Sequence, residues 1–377
     1  METVKGFRDY TGEDAEKREA VRRILVETLE KYGFQPAENP IVEYEEFVKG
    51  DNEKDEAVSD IFKLKDKGAR ALALRYELTF QLKRIMQNKK LPYKRYEIGP
   101  VFRDEPVQGN RLRQFTQADS DIIGMDSPRD EAEIIILSSE VMKKLGIDAI
   151  INVNSRELIN EVLEEQGVKS GDREEVIKII DKLDKKKESE ITSELKQFNA
   201  ERVLEIFTKN EKYFKKYKSY SQIEEIRKYC NMAGVIFNFL PTLARGLSYY
   251  NKAVYEIKTK QMKETITGGG SYMFNGIQCT GISFGIERLC QLAKINLEKE
   301  KFLIISLNQD KKSIEITQKL REKGKIATIY YGRPSKALEF ANAYNYNKIV
   351  FVGDKEIKSR KFKVKDMKIG KESAFKI

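Results

Sequence analysis

Two stretches far apart in the chain hold the residue types that bind phosphates and small polar ligands. Residues 95–124 read RYEIGPVFRDEPVQGNRLRQFTQADSDIIG, and residues 243–250 read LARGLSYY. Both set arginines, carboxylates or aromatics among apolar, strand-like runs, which argues against loop filler. Guanidinium stays charged and grips oxyanions through paired N–H donors. A phenylalanine between such arginines offers a stacking face, and Gln, Asp and Tyr offer hydrogen-bond partners. Together these parts suit a nucleoside triphosphate and a small polar ligand held side by side. Each part alone has a plainer reading. Phe115 is an ordinary core residue, GGGSY a loop, Glu77 and Thr79 a helix-start cap, and Arg103 with Asp121 a scaffold ion pair. Their joint order along the chain points to a site.

Composition narrows the chemistry. The 377 residues include no histidine and no tryptophan. Without imidazole there is no Ser-His-Asp triad and no His-ligated zinc. The chemistry must run on carboxylates, arginines, a metal held by oxygens, or the substrate's own groups. Cys230, Cys279 and Cys290 show no C-x-x-C spacing and suit buried thiols in a reducing cytosol. No run of eighteen apolar residues occurs, so no membrane span is expected. The charged N-terminus lacks the apolar core of a secretory signal. The net charge of +10 is uneven: residues 301–377 hold 19 Lys and Arg against 8 Asp and Glu. That asymmetry points to a polyanion, with nucleic acid first in line.

The elements that must position these residues follow from periodicity. Residues 13–32 have helical spacing and stop at Gly33. FQPAENPIVEYEEF reads as a short strand broken at Pro36 and Pro40. Residues 60–65 and 70–76 alternate as a hairpin around Asp66-Lys67-Gly68. Residues 77–88 read as a helix. Residues 93–103 and 112–124 read as a long antiparallel hairpin with Gly109-Asn110 near its tip, and 129–145 as a helix. From 146 to 234 the pattern is Glu-, Lys- and Ile-rich and helical. Glycines then crowd the chain, with strands at 252–258 and 279–284 and a helix at 285–298. After Leu297, strands and helices alternate, as in a small α/β domain.

These motifs resemble a class II aminoacyl-tRNA synthetase. VFRDE with RLRQF is similar to the class's arginine motif, GISFGIERL to its third motif, and Pro40 to the proline of its dimer-interface motif. LARGLSYY followed by TGGGSY resembles the pair of motifs specific to histidyl-tRNA synthetases. The implied fold is α+β: an antiparallel-sheet catalytic core (1–145 and 235–298), a helical insertion (146–234) and a basic C-terminal α/β anticodon-binding domain (299–377). The implied activity is histidine–tRNA ligation with ATP and Mg²⁺, by a cytoplasmic homodimer binding L-histidine and tRNA(His), with no membrane association.

Carried onto this chain, the resemblance gives each residue a role. Arg103 and Arg245 would act at the reacting α-phosphate, Arg103 also holding the histidine carboxylate. Glu105 would meet the adenine amino group or the tRNA end. Phe115 would stack on adenine, with Arg288 on its other side, and Arg111 and Arg113 would bind the polyphosphate. Glu77, Thr79 and Gln117 would take the substrate ammonium. Asp121 and Tyr250 would pair the two imidazole nitrogens, with Tyr249 and Tyr272 lining the same pocket. The metal ligands are not implied. The chain departs from the family pattern at Ser248 (usually Asp), Tyr76 (usually Pro), Phe80 (usually small or Pro), Ser271 (usually Arg) and Met273 (usually Asp). These departures leave an alternative: an inactive synthetase-like paralogue that regulates histidine biosynthesis or senses uncharged tRNA.

Overall fold

The computed structural model describes residues 1–50, 56–107, 111–183, 186–244 and 249–375. The chain divides into two compact units, Met1–Ile295 and Asn296–Ile377. The strands of the first are β1 (Gln35–Pro36), β2 (Val42–Tyr44), β3 (Lys63–Lys65), β4 (Ala71–Leu74), β5 (Tyr93–Phe102), β6 (Gln114–Ile123), β7 (Ile150–Ser155), β8 (Asn238–Phe239), β9 (Tyr250–Thr259), β10 (Met262–Phe274) and β11 (Ile277–Gly285). Eight of them form one sheet in the order β1-β5-β6-β11-β10-β9-β7-β8. The six central strands pair antiparallel, and the two-residue edge strands β1 and β8 join in parallel. Strands β2, β4 and β3 make a separate small sheet.

Helices cover one face of the large sheet. The Gly12–Lys31 helix buries Val21, Leu25, Thr28 and Leu29. The Pro128–Lys144 helix starts where the Ser127 side chain accepts from Arg129 N, with Pro128 in the first turn. Its apolar stripe packs with Ala118, Ile122, Ile282 and Phe284 from the sheet.

Four elements depart from the periodicity reading. The helix expected over 285–298 is confined to Ile286–Leu292. The helix expected over 77–88 is confined to Leu82–Ile85 and a 3-10 turn, Met86–Asn88. Residues 75–81 are a buried loop, and the helix cap falls on Gln81, not on Glu77 or Thr79. Strand β10 was not legible, because three consecutive glycines give it no strand propensity of its own. Its pairing with β9 and β11 on both sides makes the strand. The stretch 146–234 opens with β7, which pairs with β9 in the large sheet. Its helices share one apolar core with the Gly12–Lys31 and Pro128–Lys144 helices.

In the second unit, β12 (Lys301–Ser306), β13 (Ile326–Tyr331) and β14 (Lys348–Val352) are parallel, and β15 (Phe362–Asp366) and β16 (Glu372–Phe375) add an antiparallel edge. Alternate residues of β12 serve opposite faces. Phe302 and Ile304 pack with Ile316 and Leu320, whereas Leu303 and Ile305 pack with Ala337 and Ala341.

Cys230 and Cys279 are buried free thiols, and burial pushes each up to about 12. No helix among the described residues is long and apolar enough to cross a membrane.

Candidate active site

Side chains alternate along a strand, so Phe115, Gln117, Asp119 and Asp121 of β6 share one face while Ala118 and Ile122 enter the helix-covered core. The ladder extends these positions into rows. Asp121 lies opposite Arg95 and Gly281, Asp119 opposite Glu97 and Ser283, and Gln117 opposite Gly99 and Gly285. Gly270 and Gly268 of β10 continue the first two rows. The floor is therefore acidic on one side and bare on the other. The bareness is required: a Cβ on Gly281 would lie 2.0 Å from Asp121 Oδ1, and one on Gly270 would lie 2.7 Å from the Tyr250 ring.

Over the acidic side lies a cavity of about 210 Å³, lined by Glu77, Thr79, Gln117, Asp119, Asp121, Tyr249, Tyr250 and Tyr272 among others. The tyrosines form an aromatic wall, with the Tyr249 ring 4.7 Å from Tyr250 and 5.5 Å from Tyr272. Tyr249 precedes the first residue of β9, so strand alternation does not send it to the other face. Tyr272 donates a short hydrogen bond to Asp121 Oδ1. Arg95, fully buried beneath, ion-pairs with Asp121 Oδ2 at 2.9 Å and donates to Leu78 O at 2.7 Å. Burial raises the Asp121 carboxyl, against the pull of Arg95. Burial pushes Asp119 up to about 7; Arg95 opposes this and the neighbouring Asp121 adds to it.

A second cavity of about 240 Å³ adjoins the first and shares Arg103, Gln117, Gly268 and Ser283 with it. Glu105, Arg111, Phe115, Thr265 and Arg288 line it further. Arg103 Nε donates to Tyr76 O at 3.2 Å, and its guanidinium lies 5.2 Å from the Phe115 ring centre. Arg288 donates to Thr265 O at 2.5 Å, and Arg111 pairs with Glu105 at 3.1 Å. Glu287 accepts from Thr116 N and from Arg18, which ties β6 to the Ile286–Leu292 helix bearing Arg288. Arg113 turns away, to Asp104 at 3.3 Å and to Glu105 O, and is not among the residues lining either cavity. Arg245 and Ser248 lie outside the described residues, as does the Gly109-Asn110 tip. The backbone leading to Arg245 is held by Asn154, which donates to Pro241 O and Leu243 O at 2.8 and 3.0 Å.

A family model for histidyl-tRNA synthetase matches residues 6–289. The chain belongs to the histidyl-tRNA synthetase family. It is 30% identical to histidine–tRNA ligase 2 of Shouchella clausii over 98% of this chain and 97% of that one. In fold it is similar to histidyl-tRNA synthetase from Nostoc sp. PCC 7120, with a TM-score of 0.86 at 21% identity over 99% and 96% of the two chains. It is also similar to an ATP phosphoribosyltransferase regulatory subunit/histidyl-tRNA synthetase from Bacillus halodurans C, with a TM-score of 0.78 at 18% identity over 93% and 97%. The α+β class with an antiparallel core sheet and a C-terminal α/β unit is that of this family.

Three of the positions where the chain departs from the family pattern, Tyr76, Phe80 and Ser271, have physical accounts. Tyr76 and Phe80 stack on each other, with ring centres 5.7 Å apart and planes 8° from parallel, in a small core with Val48 and Ile61. The two changes are therefore one packing unit. Ser271 points to the helix-covered face, where its hydroxyl donates to Glu131 at 2.5 Å and lies 3.2 Å from Thr280 Oγ1. Met273 is half exposed.

Sequence reasoning missed Arg95, Asp119 and Ser283. A signal was present: RYE at 95–97 and DSD at 119–121 put charges two apart within apolar strands, and so on one face.

Glu131 is buried, and burial pushes its carboxyl up to about 7. A carboxyl raised in the folded state holds protons that the unfolded chain releases. Its contribution is whole below about pH 4 and is lost as pH rises through about 7. Glu131→Gln is expected to shrink the fall in thermal midpoint between pH 5 and pH 8. An unchanged pH slope in the variant would contradict this account.

Proposed function

We propose that the chain is a histidine–tRNA ligase, which converts L-histidine and ATP to histidyl-adenylate and diphosphate and then passes the histidyl group to the 3′ end of tRNA(His), releasing AMP. The supporting observation is the pair of adjoining cavities that meet at Arg103, one with cations and a stacking ring, the other with carboxylates and tyrosines. The histidine carboxylate forms a bond to the α-phosphorus as the bond to the β-phosphate oxygen breaks. Arg103 holds the carboxylate and the α-phosphate, and Arg245 is the second cation at that phosphorus. Fixed cations lower the barrier by meeting charge that builds in the transition state. The attacking carboxylate is already ionised, so no enzymic base is needed, which suits a chain without histidine.

Phe115 and Arg288 would hold the adenine, with Arg111 and Glu105 at the phosphates and the adenine amino group. Arg113, paired to Asp104, would have to swing to reach the polyphosphate. Glu77, Thr79 and Gln117 would receive the ammonium. Asp121 and Tyr250 would pair the imidazole nitrogens, with Tyr249 and Tyr272 as walls. Among the described residues no cluster of three or more carboxylates or cysteines could cage a metal. Glu105 and Glu287 are the carboxylates at the phosphate cavity. This donor set fits Mg²⁺ arriving on the nucleotide phosphates, where it would draw charge from the leaving diphosphate.

The basic unit 296–377 would contact the anticodon stem by counterion release, and helices of 146–234 would hold the acceptor arm. Exposed Ile41, Val42, Tyr44 and Leu64 on the small sheet and beside it support a homodimer. A cytoplasmic location follows from this role. The test is histidine-dependent exchange of labelled diphosphate into ATP. Exchange that needs L-histidine supports the ligase. Binding of tRNA without exchange would replace it with the sensor reading that the Ser248 and Ser271 departures favour. Failure of both would point to a biosynthetic regulator.

A further inference from the structure

The amino-acid cavity holds one more carboxylate than its roles require. Glu97 is paired to Arg75 at 2.7 Å, and Asp121 to Arg95 at 2.9 Å and to Tyr272. Asp119 makes no salt bridge among the described residues. It is 3% exposed, Ser283 and Thr79 are its side-chain partners, the Thr79 Oγ1 lying 3.4 Å from its Oδ2, and its Oδ1 has no hydrogen-bond partner among the described residues. A buried, half-satisfied carboxylate costs free energy unless a ligand completes it.

Its position states which ligand group that would be. Along β6 the cavity face runs Gln117, Asp119, Asp121, with Arg103 at the Gln117 end. Histidine placed with its carboxylate at Arg103 and its ring at Asp121 sets its amine between them, over Asp119. Glu77 and Thr79 approach the same cavity from the 75–81 loop.

We propose that Asp119 is a second carboxylate for the α-ammonium group of the amino acid, and that it makes the site reject ligands without a charged amine. The inference rests on the histidine reading above. The groups around Asp119 agree with the assignment. Glu97 and Arg95 face it from β5, Asp121 and Gln117 from its own strand, and Ser283 from β11. Arg95 is the cation of this set, and it is already committed to Asp121. Burial pushes the Asp119 carboxyl up to about 7. An ammonium against it would lower that value, so histidine binding at pH 6 would release a proton.

Calorimetric titration of the full chain with L-histidine and with imidazole-lactate, which has a hydroxyl in place of the amine, tests this. The wild type is expected to prefer L-histidine strongly. Asp119→Asn is expected to weaken L-histidine by roughly 30-fold or more and imidazole-lactate by about twofold at most. At pH 6, titrations in buffers of different ionisation enthalpy are expected to show proton release in the wild type beyond that of the variant. A thermal melt of Asp119→Asn and of Asp119→Ser reports whether each is folded, and either folded variant serves. An unchanged ligand ratio, or equal proton release, overturns the inference while histidine binding by the wild type keeps the functional reading. A wild type that binds neither ligand overturns both.

Discussion

Arg103→Ala is expected to lower histidine-dependent diphosphate exchange by about 10³-fold, the scale set by removing one fixed charge from a charge-developing transition state. Arg103 is the residue shared by both cavities that bears a permanent charge. Its Nε is spent on Tyr76 O at 3.2 Å, which fixes the plane of the guanidinium. Its Nη1 is 3.8 Å from Glu105 Oε1, too far for a strong pair. In the proposed reaction the remaining donors would meet an oxyanion at the junction. Arg103→Lys should recover little, because an ammonium can replace neither the anchored Nε nor the fork. The loss should fall mainly on the rate at saturating histidine and ATP. A variant that exchanges within tenfold of the wild type would remove Arg103 from the chemistry.

The second large effect is on stability. Arg95→Met should destabilise the chain by about 3–5 kcal/mol at pH 8, the usual scale for removing one partner of a buried pair. Arg95 is 0% exposed, ion-paired to Asp121 at 2.9 Å, and 3.6 Å from Glu97. Methionine fills similar space but leaves Asp119 and Asp121 facing each other in a dry site. Both carboxyls already sit above the usual carboxylate range because of burial, with Arg95 restraining them. Without that guanidinium they rise further. The folded variant therefore holds protons that the unfolded chain gives up, and stability drains away as pH climbs from about 4 through the raised values. Urea denaturation should show a much smaller loss at pH 5 than at pH 8. Equal losses at the two pH values would mean that Arg95 acts by packing alone.

Some of this site could be read before any fold was known. The even spacing of Phe115, Gln117 and Asp121 put them on one face of a strand whatever the strand paired with. The arginine of RDE lay at a strand end, and that of ERL in the helix after a strand. The missing histidine excluded imidazole chemistry outright. The break at Leu297 between a glycine-rich sheet and alternating strands and helices was also legible, and the two units divide between Ile295 and Asn296. Other features were not. Arg95 looked like one charge among many, because burial is a property of neighbours and not of a residue. The glycine run 268–270 looked like a loop, because its strand is imposed by hydrogen bonding from β9 and β11.

By itself the sequence determined which groups share a face, since strand alternation is local, and which chemistries are available, since composition is absolute. The tertiary structure alone decided that Arg95 and not Arg103 meets Asp121, that Arg113 turns from the cavity, and that Tyr76 and Phe80 form one stacked pair. It also decided that Asp119 reaches the cavity with no ion pair of its own among the described residues. The pairing of Arg95 with Asp121 and the place of Asp119 depend on register across the sheet, where a shift of one residue would send each such side chain to the opposite face.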